Sequence, residues 1–250
     1  MLNITDHGRV RELRIDRPPA NALNGELLRT LQSSLDTAAA EADAVVVSGR
    51  PGMFSAGLDV PELLGLERAD FTGLWQEFIG LQRTIATLPT PIAFALTGHA
   101  LAGGVLLAVY GDYRVMPRGP YKTGLNEVKI GLVVPETPFW ALRRLVGSEV
   151  AAELVLGGEM IASERAAAIG LVDELVDSPE AAVAAALAWC ERHLELPRDA
   201  MLATRAMARR DLRALFEGEN AAHGDRFIDF WFSEDTQRRL RALVASLGKR

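Results

Sequence analysis

Cysteine is all but missing from this chain. Cys190 stands alone among 250 residues, so no disulfide can close within it. Histidine is scarce as well. His7, His99, His193 and His223 are scattered without metal-ligand spacing, and no metal is expected. The start, Met1 to Gly8, has no basic region followed by an apolar core. A secretory signal is therefore not expected, and the expected location is cytoplasmic. Positive charge is in deficit: a net charge of −6 argues against general nucleic-acid binding. The chain contains no Gly-x-Gly-x-x-Gly and no Walker-type Gly-Lys-Ser/Thr. Ser55 lies in Met53-x-Ser55-x-Gly57, which lacks the first glycine of a nucleophile elbow.

A local absence says more. The 28 residues from Thr84 to Gly111 contain no Asp, Glu, Lys or Arg. That length would span a membrane if helical. Pro89, Pro91, Gly98, Gly103 and Gly104 break it too often for one apolar helix, so no membrane segment is expected. The reading is instead a buried strand over Ile92–Leu96, a glycine turn, and a buried helix beginning at Gly103-Gly104. Backbone N–H groups left free at such a turn are a ready place for an oxygen carrying negative charge.

What is present fits one globular domain, or one domain with a small appendage. Hydrophobic content of 49% with 24% charged residues excludes a disordered chain. Val10–Ile15 alternates as a half-buried strand does, and Ala44–Val47 reads as a buried strand. Leu27, Leu28, Leu31 and Leu35 follow a cap at Asn24 or Gly25 at helical spacing, and Phe71–Leu88 suggests a second helix. Tyr113–Met116 and Leu171–Val176 read as further strands, with helices at 139–146, 150–156 and 179–194. From Pro197 only helical periodicity remains, and Ser233 caps a last helix reaching Leu247. Alternating strands and helices followed by helices alone predict an α/β protein, with a core over 1–195 and a helical region over 196–250.

Two segments share a layout. Ala44–Val47 leads through a turn into Phe54-Ser55-Ala56-Gly57-Leu58-Asp59, and Ile92–Leu96 leads into Gly98 through Gly104. Small residues where a strand gives way to a turn let a ligand approach the backbone. Two such turns can aim two N–H groups at one carbonyl oxygen, as an oxyanion hole does. Tight strand–helix packing explains the same spacing. His99, on an apolar segment without a partner, reads as a satisfied buried histidine. Glu127, bounded by apolar residues, reads either as an acid–base group with a raised pKa or as a solvated loop glutamate.

Taken in order, these segments resemble the crotonase, or enoyl-CoA hydratase/isomerase, superfamily over nearly the whole chain. The resemblance rests on Arg17-Pro18 with Asn21-Ala22-Leu23, then Phe54 to Asp59, Gly98 to Gly104 and Asp112. It continues through Glu127 with Ile130-Gly131, Gly170 to Asp173, and Phe227, Phe230, Ser233-Glu234-Asp235 and Leu240. It implies a crotonase-like spiral of ββα turns with a C-terminal helical trimerisation region, assembled as a homotrimer or a dimer of trimers. It implies an acyl-CoA thioester as substrate, with coenzyme A entering only as part of that substrate and no separate cofactor. The N–H groups of Leu58 and Gly103 match the family's oxyanion-hole donors. Asn21, Ala22, Ala56, Asp59 and Val60 fall in segments that line the CoA site in relatives, with Arg17 and Arg50 as contributors to steering.

Family hydratases use two glutamates. The first position is occupied here by Leu106, which can neither accept nor donate a proton; the second matches Glu127. Moving a double bond from C3=C4 to C2=C3 needs only one base, so the resemblance implies a Δ3,Δ2-enoyl-CoA isomerase in fatty acid metabolism. Two alternatives remain open at this level. In one, Glu136, after Pro135, replaces the missing carboxylate in a hydratase or other lyase. Alternatively, the chain is a non-catalytic acyl-CoA-binding subunit. Lys129, two residues beyond Glu127, faces solvent or pairs with a carboxylate and lowers its basicity.

Overall fold

The computed structural model describes residues 1–217 and 224–247; His223 lies outside them. The chain opens with a hairpin of β1 (Leu2–His7) and β2 (Val10–Ile15). Then α1 (Gly25–Glu41) begins where the Asn24 side chain accepts from the Leu27 N–H at 3.0 Å, the cap expected of that residue. Next come β3 (Ala44–Ser48), β4 (Gly52–Ser55), the short α2 (Val60–Leu63) and the long α3 (Arg68–Thr87). The uncharged segment folds as β5 (Ile92–Ala95), β6 (Gly98–Leu101) and α4 (Gly103–Ala108). Then follow β7 (Tyr113–Pro117), β8 (Lys122–Gly124), a 3₁₀ turn over Glu127–Ile130, α5 (Glu136–Val146), α6 (Ser148–Gly157), β9 (Met160–Ala162), α7 (Ser163–Ala168) and β10 (Glu174–Val176). Helices alone complete the described chain: α8 (Pro179–Leu194), α9 (Arg198–Ala208), α10 (Arg210–Ala214), α11 (Gly224–Trp231) and α12 (Glu234–Leu247).

The strands divide between two sheets. One has the order β1-β2-β3-β5-β7-β10, the other β4-β6-β8-β9. Consecutive strand pairs split between them: β3, β5 and β7 enter the first sheet, while β4, β6 and β8 enter the second. Helices α2 and α3, then α4, return the chain to the first sheet, which is the spiral of ββα turns; α5 and α6 lead from β8 to β9 within the second sheet, and α7 leads from β9 back to β10 in the first. The glycine turn expected at Gly98 is in fact a strand. Gly98 pairs with Gly52, and a Cβ on Gly98 would stand 2.0 Å from the Gly52 carbonyl carbon, so only glycine permits the approach. The strand expected over Leu171–Val176 is confined to its last three residues.

The first sheet is covered on both faces, which is why β3 and β5 read as continuous apolar runs. Alternation sends Val46, Ala93 and Ala95 to a layer shared with Ala182, Ala186 and Cys190 of α8. Val45, Val47 and Phe94 face the main core with α1 and α3. Cys190 is fully buried there and serves as an apolar side chain.

The helices after α8 are fastened by charge and by aromatic stacking. Asp112 accepts from Arg205 Nε and from Arg209 (2.9 and 2.7 Å), and Arg209 also donates to the Tyr110 carbonyl at 2.6 Å. Burial lowers the Arg209 pKa to about 10 in spite of Asp112, so desolvation already outweighs the ion pair. Replacing Asp112 with asparagine would leave two largely buried guanidinium groups without a counter-charge. Breaking such a pair costs about 3–5 kcal/mol, which for a chain of this size lowers the melting temperature by about 10 °C. A melting point within about 2 °C of the parent protein would contradict this role.

Candidate active site

The two turns singled out in the sequence meet. A Cβ on Gly103 would stand 3.2 Å from the Leu58 nitrogen, and one on Gly57 would stand 2.9 Å from the Gly103 nitrogen. The chain is pinned on both sides of Leu58: Leu23 N–H donates to the Gly57 carbonyl and Asp59 N–H donates to the Leu23 carbonyl (2.8 and 3.0 Å). That bridge consumes the neighbours and leaves the Leu58 N–H unused. Gly103 opens α4, where an N–H has no helical acceptor. Neither amide donates a hydrogen bond among the described residues. Ala102, just before Gly103, is held at φ 45, a left-handed conformation costly for a residue with a side chain. Such strain concentrates at functional sites; here it turns the chain from β6 into α4, and the Ala102 N–H is anchored on the Gly124 carbonyl at 2.9 Å.

Leu58 and Gly103 line an apolar cavity of ≈ 90 Å³ together with Ala56, Val60, Leu106 and Glu127. Trp75 and Phe78 of α3 close one side; Phe227, Trp231 and Leu243 of the last two helices close another. Among the described residues, Glu127 is the only ionisable one on this lining. It is 5% exposed, and its Oε2 has no hydrogen-bond partner among the described residues. Burial therefore dominates, and pushes its pKa up to about 7; a hydrogen bond from its own backbone opposes the shift in part. The 3₁₀ turn that carries Glu127 is held from afar. Gly131 ends it at φ 83, and Thr236 Oγ1 of α12 donates to the Gly131 carbonyl at 2.7 Å. Lys129 is exposed and takes no part in setting the Glu127 pKa.

The residues expected near the CoA divide with respect to this cavity. Ala56 and Val60 line the cavity; Asn21, Ala22 and Asp59 do not. Asn21 is fully buried at φ 49, its amide donating to the carbonyls of Ile15, Met53 and Phe54 and accepting from the Arg17 N–H. Both amide hydrogens are thereby spent in tying β2 to β4. Asp59 caps α2 and pairs with Arg17 at 2.6 Å, while Arg17 also donates to the Ala22 carbonyl. Arg50 pairs with Asp16 at 3.4 Å. Ser55 donates to the Asn21 carbonyl and accepts from Gly57 N–H, so it supports the turn. His99 Nδ1 accepts from the Lys122 N–H, consistent with a satisfied structural histidine.

Glu136 does not line that cavity. It is exposed at the start of α5, accepts from Trp140 Nε1 at 3.3 Å, and borders an adjoining hollow that shares Pro135 and Phe227 with the cavity. The aromatic wall went unrecognised in the sequence. Trp75 stacks on Phe227 at 3.9 Å and Phe71 on Trp231 at 4.3 Å. The signal was the helical spacing of Leu74, Phe78, Leu81 and Ile85, which marks a core face without saying that part of it bounds a cavity. Among the described residues, no group of three or more His, Cys, Asp or Glu is placed to hold a metal, and no helix is long and apolar enough to cross a membrane.

Two unused amides beside one buried carboxyl in an apolar cavity describe an enzyme site for a carbonyl that gathers negative charge. The chain belongs to the enoyl-CoA hydratase/isomerase family, whose model matches residues 5–243. It is similar to a probable enoyl-CoA hydratase of Mycobacterium avium, 35% identical over 219 residues, covering 86% of this chain and 83% of that protein. It is also similar to the human mitochondrial enoyl-CoA delta isomerase 1, 29% identical over 246 residues, covering 95% and 80%. The crystal structure of human mitochondrial Δ3,Δ2-enoyl-CoA isomerase superposes with a TM-score of 0.92 at 28% identity, covering 99% of this chain and 98% of that one.

Proposed function

We propose that this protein is a Δ3,Δ2-enoyl-CoA isomerase of fatty acid metabolism that works with one base. The observation that carries the reading is the cavity lining, where Glu127 is the only acid among the described residues and Leu106 is buried at 2% exposure. The Glu127 carboxylate takes a proton from C2 of a 3-enoyl thioester. The electron pair moves onto the thioester oxygen, where the Leu58 and Gly103 N–H groups hold the dienolate. The pair then returns through the carbon chain, C2=C3 forms, and C4 receives the proton back from Glu127. One carboxyl suffices because proton removal and return occur on the same group. The likeness to the human isomerase supports this reading.

The relatives named as probable hydratases favour a second reading, in which a second acid helps to position water. Glu136 is the candidate, and its place outside the cavity counts against it. Purified protein given a 3-enoyl-CoA should develop the absorbance of the conjugated 2-enoyl thioester. Glu136→Gln should keep that rate within about two-fold, since general acid–base groups contribute 10²–10⁴-fold when they act. A loss of 100-fold in this variant would move the chemistry to two acids. Absence of turnover alongside acyl-CoA binding would favour a binding subunit. We further propose a homotrimer or a dimer of trimers. Light scattering should return three or six times the 27.1 kDa chain mass, and a monomer would overturn it.

A further inference from the structure

The Glu127 carboxyl has no other side chain to hold it. Its Oε2 is unpartnered among the described residues, and the hydrogen bond that acts on the carboxyl comes from its own backbone. The place of the base is therefore set by the main chain that carries it. That stretch is tied at two points. Before Glu127, the Gly124 carbonyl accepts from the Ala102 N–H at 2.9 Å, which fixes it to the turn that presents Gly103. After Glu127, the Gly131 carbonyl accepts from Thr236 Oγ1 at 2.7 Å. This second tie reaches the base in short steps: Leu132 N–H donates to the Glu127 carbonyl at 2.9 Å, and Gly131 N–H to the Val128 carbonyl at 3.2 Å.

We propose that Thr236 is a positioning residue for Glu127, its hydroxyl holding the turn at the depth at which the base works. This inference rests on the single-base reading of the cavity and names what holds that base in place. Thr236 lies in the first turn of α12, 105 positions from Gly131 in sequence, and is 1% exposed. Its own N–H is accepted by the Ser233 hydroxyl at 3.4 Å, so capping of the helix leaves the Thr236 hydroxyl free to reach across. The two elements touch: a Cβ on Gly131 would stand 2.8 Å from Thr236 Oγ1 and 3.3 Å from Arg239 Cδ. Valine has the same shape as threonine, so what the hydroxyl adds is a donor for Gly131. Without that donor the Gly131 carbonyl turns to water, the turn loses its fixed distance from α12, and the carboxyl is less deeply buried. Burial is the main cause of the raised Glu127 pKa, so loosening the turn lowers it. Charge plays no part in that titration. Lys129 of the turn, Glu136 of α5, Glu149 and Glu153 of α6 and Arg226 of α11 are exposed, and Arg239 of α12 pairs with Asp235 at 2.6 Å.

Thr236→Val in the full chain tests this, beside Thr236→Ser, which keeps the donor. With a 3-enoyl-CoA, Thr236→Val should lose about 10-fold in kcat, part of the 10²-fold that a misplacement of about 1 Å costs. Its affinity for a saturated acyl-CoA should be unchanged, since Thr236 does not line the cavity. The acid limb of its pH profile should move from about 7 toward the usual 4.5. Infrared titration of the carboxyl, assigned with Glu127→Gln, should report the same movement without turnover. Thr236→Ser should restore both rate and midpoint. If the valine variant does not fold, Thr236→Cys, a weak donor, should show the same two changes in lesser degree. A purely structural tie would lower the melting temperature and leave kcat and the midpoint of the folded protein where they were. That result would overturn the proposal and leave the isomerase reading standing. No conversion by the parent protein would overturn the isomerase reading instead, and the infrared midpoint would still decide the tie.

Discussion

Replacing Glu127 with glutamine is expected to remove isomerisation almost completely, with kcat falling at least 10³-fold and binding of saturated acyl-CoA retained. The amide has nearly the same shape but cannot accept the C2 proton. Among the described residues, no other ionisable group lines the cavity to substitute for it. The parent protein should also show the base in its pH profile. Burial raises the Glu127 pKa to about 7, and the carboxylate is the working form. Log kcat/KM should therefore rise with unit slope below about pH 7 and level off above it. Stability runs the other way. A carboxyl raised from the usual 4.5 to about 7 favours the fold fully below 4.5, and that contribution is lost as pH rises through 7. Glu127→Gln should thus be more stable than the parent at pH 8 by on the order of 3 kcal/mol, and should lose that advantage near pH 4. A variant retaining a tenth of the parent rate would remove Glu127 from the chemistry.

The second large effect is expected at Gly103. An added methyl would lie 3.2 Å from the Leu58 nitrogen and 3.3 Å from the Gly57 Cα, in the space between the two amides. That is the space a thioester oxygen needs if both N–H groups are to reach it. Gly103→Ala should lower kcat about 10²–10³-fold, the usual cost of losing an oxyanion donor. Gly103 is not in a left-handed conformation. Its contacts at 3.2–3.4 Å are tight without being impossible, so the variant should fold. Gly57→Ala is a different case. Its φ of +91 and a contact of 2.9 Å with the Gly103 nitrogen predict a protein that is strained before activity is measured. A fully active Gly103→Ala protein would show that the amides do not bind the oxygen.

Much of the first sheet was legible because β2, β3, β5 and β7 are long enough to display alternation or continuous burial. The second sheet was not. Strands β8 and β9 have three residues each, too few for a period to emerge, and β6 begins at a glycine that reads as a turn. The site was legible in kind but not in environment. Glu127 stood out as a carboxyl among apolar neighbours, yet its burial depends on Trp231 and Leu243, more than one hundred residues away in sequence and brought in by α11 and α12. The structural part played by Asn21 was equally hidden: its amide donates to three backbone carbonyls that lie in two different strands. The stacking of Trp75 on Phe227 likewise depends on two helices meeting, which no local pattern records.

The central claim is that one carboxyl governs this cavity. It is tested most directly by giving the same preparation a 3-enoyl-CoA and a 2-enoyl-CoA in parallel and comparing the rate of double-bond migration with the rate of water addition. With Leu106 in place of a second acid, migration should exceed hydration by at least 10²-fold, the contribution of one missing acid–base group. Hydration as fast as migration, or faster, would contradict the single-carboxyl account.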